Sequence, residues 1–288
     1  MTTYKALHGK KVKYLSSDPP ASVGEGQVWY NSAETEYKTS VLVAAWTSGG
    51  NMGTARGTMG CAGTQTAALS GGGGNPGKIS FTEEYDGTSY TEGNDLGTAR
   101  YALSASGTLT AGLVFGGTDS GFVAHTEEYD GTSYSEQNNL SATKAYMSGF
   151  GTQTASLAIS GQLSDNSVPV NVELYDGTSW TETANLNTSR GAIAGAGGTT
   201  ASGMVFGGLA NAVGGAGAPA SALVEAWDGT SWTETSNLAT ARFVIGGSGT
   251  SATSMLAFGG RTAPPVPSFT TATEEFSEAG VIKTISDS

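Results

Sequence analysis

The amino-acid sequence predicts an all-β ring, a propeller of five four-stranded blades preceded by a short N-terminal arm. Two observations carry this prediction: a composition unsuited to helix, and a segment whose aromatic landmark recurs every 44 to 52 residues. A third, the mismatch between the first and last copies of that segment, predicts that the ring is closed by the ends of the chain.

Of 288 residues, 44 are Gly and only 13% are charged. Thr, Ser and Ala are abundant at the expense of Lys and Leu, which lowers helical propensity. Short strands joined by glycine turns use such a composition well, whereas disordered chains carry more charge and fewer aromatics. The net charge of −12, from 25 acidic and 13 basic residues, argues against nucleic-acid binding, which needs clustered Lys and Arg. Cations and basic protein surfaces are the expected electrostatic partners. Cys61 is the single cysteine, so no internal disulfide is possible, and it reads as a small residue in a packed strand. No apolar run approaches the ~20 residues that span a bilayer, and Met1 to Leu15 lacks an apolar signal core. The expectation is a soluble chain with no cleaved secretory signal and no membrane insertion.

The repeat reads YDGTSYTEGNDLGTAR from Tyr85, YDGTSYSEQNNLSATK from Tyr129, YDGTSWTETANLNTSR from Tyr175 and WDGTSWTETSNLATAR from Trp227. A degenerate copy, AAWTSGGNMGTAR, ends at Arg56. An aromatic (Trp46, Tyr90, Tyr134, Trp180, Trp232) is followed ten residues later by a base (Arg56, Arg100, Lys144, Arg190, Arg242). Four residues before each base is an apolar residue (Met52, Leu96, Leu140, Leu186, Leu238), and three after it another (Met59, Leu103, Met147, Ile193, Ile245). The third-strand aromatics Tyr85, Tyr129, Tyr175, Trp227 and Phe276 lie 44, 46, 52 and 49 residues apart, which suits one four-stranded blade per repeat.

Each blade can then be read in order. The first strand follows the base and carries the large apolar residue among Gly, Ala and Ser, as crowding at an axis requires. A Gly-Thr turn follows at Gly63, Gly107 and Gly151. The second strand ends in glycines (Gly116, Gly207, Gly259), which permit positive φ or close backbone approach. The third strand is TEEYD or VELYD. The Asp-Gly pairs at Asp86, Asp130, Asp176 and Asp228 fit a tight hairpin turn of type I′. The fourth strand holds the Tyr or Trp that fills the space between blades.

Paired glycines after a second strand, a Tyr-Asp turn and a spaced Trp resemble the kelch family over roughly Val41 to Phe276. The resemblance implies a kelch-like β-propeller that serves protein–protein interaction. The chain departs from the family pattern in the Gly after each Asp, in Tyr for Trp at Tyr90 and Tyr134, and in Ser160-Gly161 for a glycine pair. The chain enters with a lone fourth-strand copy, Ser40 to Trp46, and leaves at Phe276 without a matching DGTSW. The N-terminal strand is therefore expected to complete the last blade, with Val281 to Ile285 as the alternative.

Residues 1–39 differ in composition and form the expected arm, with 40–288 as the propeller. The arm contains a candidate strand at Lys11 to Leu15, a Pro19-Pro20 break, and Gln27 to Asn31 turning through Ser32 to Glu36. The run SSDPPASVGEGQVWYNSAETEYK, from Ser16 to Lys38, resembles a segment near the start of tail-associated and other virion proteins of bacteriophages, notably marine ones. That resemblance implies an attachment segment joined to a displayed propeller; the other reading is a flexible or capping arm.

Chemistry is sparse. His8 and His125 are the only histidines and have no paired ligand spacing, no phosphate loop or calcium loop is present, and nothing places a base beside Cys61. No cofactor is expected, and no catalytic or metal residues are assigned. Two charged rings recur at fixed repeat positions: the five bases, and Glu83, Glu127, Glu173, Glu225 and Glu274. Equivalent positions around a pseudo-symmetric ring are usually structural. The functional alternative is a sialidase-like glycoside hydrolase, in which arginines hold a carboxylate and acids do acid/base work, yet no acid and base pair stands out.

The connections from second to third strand vary in length (Gly73 to Ser80, Thr118 to His125, Leu163 to Asn171, Leu209 to Leu223, Arg261 to Ala272) while the other turns are uniform. Variable loops on a rigid scaffold commonly carry recognition. The candidate binding face is therefore Phe122, His125 and Arg261 alongside the basic ring Arg56, Arg100, Lys144, Arg190 and Arg242. The expected function is that of a tail-associated phage virion structural protein, not an enzyme, located in the virion and assembled in the host cytoplasm. Its expected partners are other virion proteins through the arm and a host-surface glycan or protein, with several copies in one assembly. A capsid decoration protein and a cellular kelch-type interaction domain are the remaining alternatives.

Overall fold

The computed structural model of the chain describes residues 13–17, 28–39, 48–210, 219–262 and 269–277. All regular secondary structure among them is β. The chain divides into two compact units, Met1–Ser48 and Gly49–Ser288.

In the first unit, Lys13–Leu15 pairs in parallel with Val28–Asn31, which turns back antiparallel onto Glu36–Thr39. The turn is built by Asn31, whose Oδ1 accepts from the N–H groups of Ala33 and Glu34 at 3.0 and 3.3 Å. Thr35 completes it at a φ of 59°. Ser32 N donates to Leu15 O, 2.8 Å away, tying the first strand to the hairpin.

The second unit holds five antiparallel sheets in a propeller ring. From the axis outward, the first blade is Gly60–Thr64, Ala67–Gly71, Thr82–Tyr85 and Tyr90–Gly93. The second is Ser104–Thr108, Ala111–Phe115, Thr126–Tyr129 and Tyr134–Glu136. The third is Ser148–Thr152, Ala155–Ile159, Val172–Tyr175 and Trp180–Glu182. The fourth is Ala194–Thr199, Ser202–Phe206, Val224–Trp227 and Trp232–Glu234. Three strands of the fifth are described: Gly246–Ser251, Ser254–Phe258 and Thr273–Ser277. Both stretches expected to supply its outer strand, Ser40 to Trp46 and Val281 to Ile285, lie outside the described residues.

The repeat positions do the packing expected of them. In blades one to four the third-strand aromatic faces the outer-strand aromatic across the ladder, at centroid distances of 4.7 Å (Tyr85–Tyr90, Tyr129–Tyr134), 5.0 Å (Tyr175–Trp180) and 5.1 Å (Trp227–Trp232). The outer-strand aromatic also reaches the preceding blade. Trp180 Nε1 donates to Thr126 Oγ1 at 2.9 Å, Trp232 Nε1 to Ala184 O at 3.1 Å, and Thr82 Oγ1 donates to Tyr134 Oη at 3.1 Å. Burial raises the Tyr134 phenol to about 12. Between blades four and five a cavity of about 180 Å³ is lined by Phe206, Val224, Leu238, Met255, Ala257 and Phe276.

The glycine pair ending the second strand is required by its neighbours. Gly116 and Gly117 have φ of 63° and 105°. A Cβ on Gly116 would lie 2.2 Å from Met147 Cε of the next blade. Ser160 takes the first glycine's place in blade three at φ 56°, where its hydroxyl donates to Arg190 O at 2.6 Å, with Pro169 O the other acceptor in reach at 2.9 Å.

Two turn assignments and one strand boundary are corrected. The Gly-Thr pairs end the innermost strand in register with the second, as Gly63 opposite Ala68 and Thr64 opposite Ala67, so the turn is the following pair. The Asp-Gly hairpin is a four-residue loop, since Tyr85 pairs directly with Tyr90. Only its Gly has positive φ (Gly87, 96°), whereas type I′ needs two. The Asp acts through its carboxylate: Asp86 Oδ1 accepts from Thr88 N and Ser89 N, both at 2.8 Å, and Asp130, Asp176 and Asp228 repeat the arrangement. The large apolar residue after each base (Leu103 at Ser104–Thr108, for example) precedes the innermost strand and does not belong to it.

The reason is a bend that the sequence hides. The residue two after each base, Thr58, Ala102, Tyr146, Ala192 or Val244, is left-handed, with φ between 51° and 55°. These residues bond to each other round the ring: Ala102 N to Thr58 O, Tyr146 N to Ala102 O, Ala192 N to Tyr146 O and Val244 N to Ala192 O, at 2.8 to 3.2 Å. Left-handed backbone is costly for side chains other than Gly, most of all for β-branched Thr and Val, and this belt of inter-blade bonds is what holds it.

Candidate binding face

The five bases of the expected basic ring lie inside the blades. Their side chains are no more than 1% exposed, and each pairs with the ring Glu of its own blade. Arg56 Nη1 is 3.0 Å from Glu83 Oε1, Lys144 Nζ 2.5 Å from Glu173 Oε1, and Arg190 Nη2 and Arg242 Nη2 each 2.7 Å from Glu225 Oε1 and Glu274 Oε1. Arg100 pairs with Glu127 in the same way. The second carboxylate oxygen accepts a backbone N–H three residues before the base, from Gly53, Gly97, Ser141, Asn187 and Ala239, at 2.6 to 2.8 Å. In blades four and five the Arg also caps the end of the glycine pair, with Arg190 Nη1 donating to Gly207 O (3.1 Å) and Leu223 O (2.7 Å). Arg242 Nη1 does the same to Gly259 O and Ala272 O. Each latch ties the incoming loop, the innermost strand and the third strand together, and presents no charge to a partner.

The axis is equally poor in chemistry. A cavity of about 330 Å³ runs between all five innermost strands, lined at one end by Met59, Leu103, Met147, Ile193 and Ile245. A narrower section of about 180 Å³ continues toward Gly63, Gly107, Gly151, Gly197 and Gly249. Cys61 is exposed on this section and not packed within its strand as expected; desolvation pushes its thiol up, partly offset by Ser70 and Arg56. Among the described residues no three His, Cys, Asp or Glu are grouped as a metal site.

The surface with the variable connections is different. In four blades the residue after the base forms a bridge with the residue after the glycine pair, and that residue bridges to the returning loop: Gly57–Gly74–Lys78, Tyr101–Thr118–Phe122, Gly191–Leu209–Ala220 and Phe243–Arg261–Phe269. Blade three uses a longer pairing, Lys144 and Ala145 with Leu163 and Gln162. These rungs support the loops and set their side chains in rows.

Phe122 lies there, half-buried and edge-on to Tyr146 at 6.5 Å, and burial raises the Tyr146 phenol. Arg261 lies on the rung of blade five between two rings, its Cζ 5.6 Å from the centroid of Phe243 and 5.0 Å from that of Phe269. His125 sits lower, against the third strand, with Nδ1 3.5 Å from Glu136 Oε1 on the outer strand. Phe122 and His125 belong to blade two and Arg261 to blade five, and among the described residues no contact joins them. Sequence reasoning missed Phe243, Val244 and Phe269, the last two 51% and 81% exposed. Phe243 and Val244 directly follow the base of the last repeat, where blades one and four have Gly-Thr and Gly-Ala, so the substitution was visible as a departure from the repeat.

No family model matches the chain, and no curated protein matches its sequence. Among the described residues no helix is long and apolar enough to cross a membrane.

Proposed function

We propose that this propeller is a non-enzymatic binding scaffold, kelch-like in its repeat, and that it is a tail-associated structural protein of a bacteriophage virion. The observation that carries the binding reading is the asymmetry of the two faces. One face carries near-identical Asp-Gly-Thr-Ser turns in blades one to four; the other carries connections of different length and, on blade five, exposed Phe269 beside Arg261. Aromatic residues and Arg are the side chains that dominate binding hot spots. Every ring carboxylate is committed to a base and a backbone N–H, which disfavours the glycosidase alternative. The virion reading is supported by the resemblance of Ser16 to Lys38 to phage virion proteins.

The test replaces Leu209 to Leu223 and Arg261 to Ala272 by short Gly-Ser loops in a protein confirmed to be folded, and measures adsorption to host cells or capture of particle proteins. Loss on grafting supports the reading; loss caused instead by changes in the Asp-Gly turns places the site on the other face. Removal of Met1 to Glu36 should leave a folded β protein that no longer joins its particle, and normal assembly would refute the attachment role.

A further inference from the structure

Arg261 differs from every other base whose partner has been described. The five ring bases are each neutralised by a Glu, whereas among the described residues no carboxylate lies within ion-pair distance of Arg261. Its Nε is buried without a hydrogen-bond partner there, as are those of Arg56, Arg100, Arg190 and Arg242, so the missing carboxylate is what sets it apart from them. In a chain with 25 acidic and 13 basic residues, a cation left without an acid is a departure, shared among the described residues with Lys78 on the rung of blade one, which has no aromatic ring against it. The other blades hold Gly74, Thr118, Gln162 and Leu209 at this rung position, so no packing need common to the repeat calls for a cation.

The neighbours explain how the side chain is held. Arg261 is bridged on one side to Phe243 and on the other to Phe269, with backbone bonds of 2.9 and 3.0 Å linking Arg261 and Phe243. Three side chains in a row across adjacent extended segments stand on one side, and the guanidinium is within cation–π distance of both rings. A guanidinium fixed in this way loses little freedom on binding and matches a planar carboxylate through paired N–H groups. Phe269 adds a broad apolar surface, 81% exposed, beside that charge.

We propose that Phe243, Arg261 and Phe269 form a receptor for the carboxylate of an acidic sugar, the ring of Phe269 packing against the apolar C–H face of the pyranose. This deepens the binding-face reading and rests on it. The patch brings one positive charge, which matches one carboxylate; a phosphate dianion would leave a charge unmatched. A strongly acidic peptide would be repelled by a protein of net charge −12, whereas a largely neutral glycan ending in one acid is not.

The experiment uses the full chain on an array of oligosaccharides ending in uronic or sialic acids, their carboxyl-reduced counterparts, neutral glycans and acidic peptides. The expected result is retention of acid-terminated glycans, at least about tenfold weaker after carboxyl reduction and about tenfold weaker for Arg261→Gln, the loss of one charge-assisted pair. Blade three already carries Gln162 at this position, so the variant should fold, and unchanged thermal unfolding checks that it has. Phe269→Ala should weaken retention severalfold. Equal retention by Arg261→Gln, retention of acidic peptides alone, or no selectivity for the acid overturns the proposal. If the Leu209 to Leu223 graft abolishes host binding while Arg261→Gln does not, the face stands and this receptor falls.

Discussion

Replacing Arg190 by Met should destabilise the propeller without any ligand being involved. Arg190 gives Glu225 its counter-charge at 2.7 Å and also serves Gly207 O and Leu223 O, and Glu225 has no solvent exposure to fall back on. Removing the cation leaves a buried carboxylate held only by Asn187, together with Gly207 O short of a donor, while Leu223 O keeps the N–H of Gly207. Breaking a buried pair by deleting one partner costs about 3 to 5 kcal/mol. For a domain of this size that corresponds to a fall in Tm of roughly 6 to 20 °C. Arg190→Lys is the informative control, because Lys144 already pairs with Glu173 in blade three. Lysine restores the charge but not the fork to both carbonyls, so its cost should be about 1 to 2 kcal/mol. Circular dichroism melts of the three proteins decide the matter. A Met variant that melts with the wild type would refute the latch, and one that melts normally but loses partner binding would return the basic ring to the binding face.

Three further outcomes follow from the packing and the turns. Trp180→Ala removes a side chain packed 5.0 Å from both Phe115 and Tyr175, and should cost about 3 to 5 kcal/mol by urea denaturation; no change would defeat the blade alignment. The turn carboxylates are held below the usual range, Asp86 to about 2 by the Thr88 hydroxyl and the N–H groups of Ser89 and Thr88, and Asp130, Asp176 and Asp228 by similar bonds. Because the folded value is depressed, their stabilisation is complete above about pH 4 and is lost as pH falls toward 2. Replacing all four by Asn should flatten the decline of Tm across that window, and an identical decline would assign acid sensitivity elsewhere. Cys61, its thiol raised by desolvation, should react with iodoacetamide more slowly at pH 8 than a free cysteine; an equal rate would contradict its place in the cavity.

The blades were legible because their packing residues are large and recur at fixed spacing: Tyr129, Tyr175 and Trp227 mark third strands, and the fourth-strand aromatics lie where inter-blade contacts need them. Both charged rings were visible too, yet their pairing was not, because base and Glu are 27 to 35 residues apart. Only a fold brings them within 3 Å. The hairpin was misread because Asp was credited with backbone freedom when its carboxylate builds the loop. The left-handed residues gave no signal at all, since Thr58, Ala102, Tyr146, Ala192 and Val244 share neither size nor polarity. Their conformation is imposed by the neighbouring blade. On the binding face, the repeat pointed to Arg261 through its variable loop but not to the two rings that hold it.

The belt of left-handed residues makes part of the backbone a reporter of the ring as distinct from its blades. Amides within a blade are freed when that blade unfolds, but the N–H groups of Ala102, Tyr146, Ala192 and Val244 are each held by a carbonyl of the blade before. Their exchange with deuterated solvent therefore requires either that two blades part or that one of them unfolds. If neighbouring blades can separate without melting, these four protons will exchange early and together, ahead of the ladders on either side. If they exchange only with those ladders, the run of five blades has no hinge between its members and opens only by coming apart.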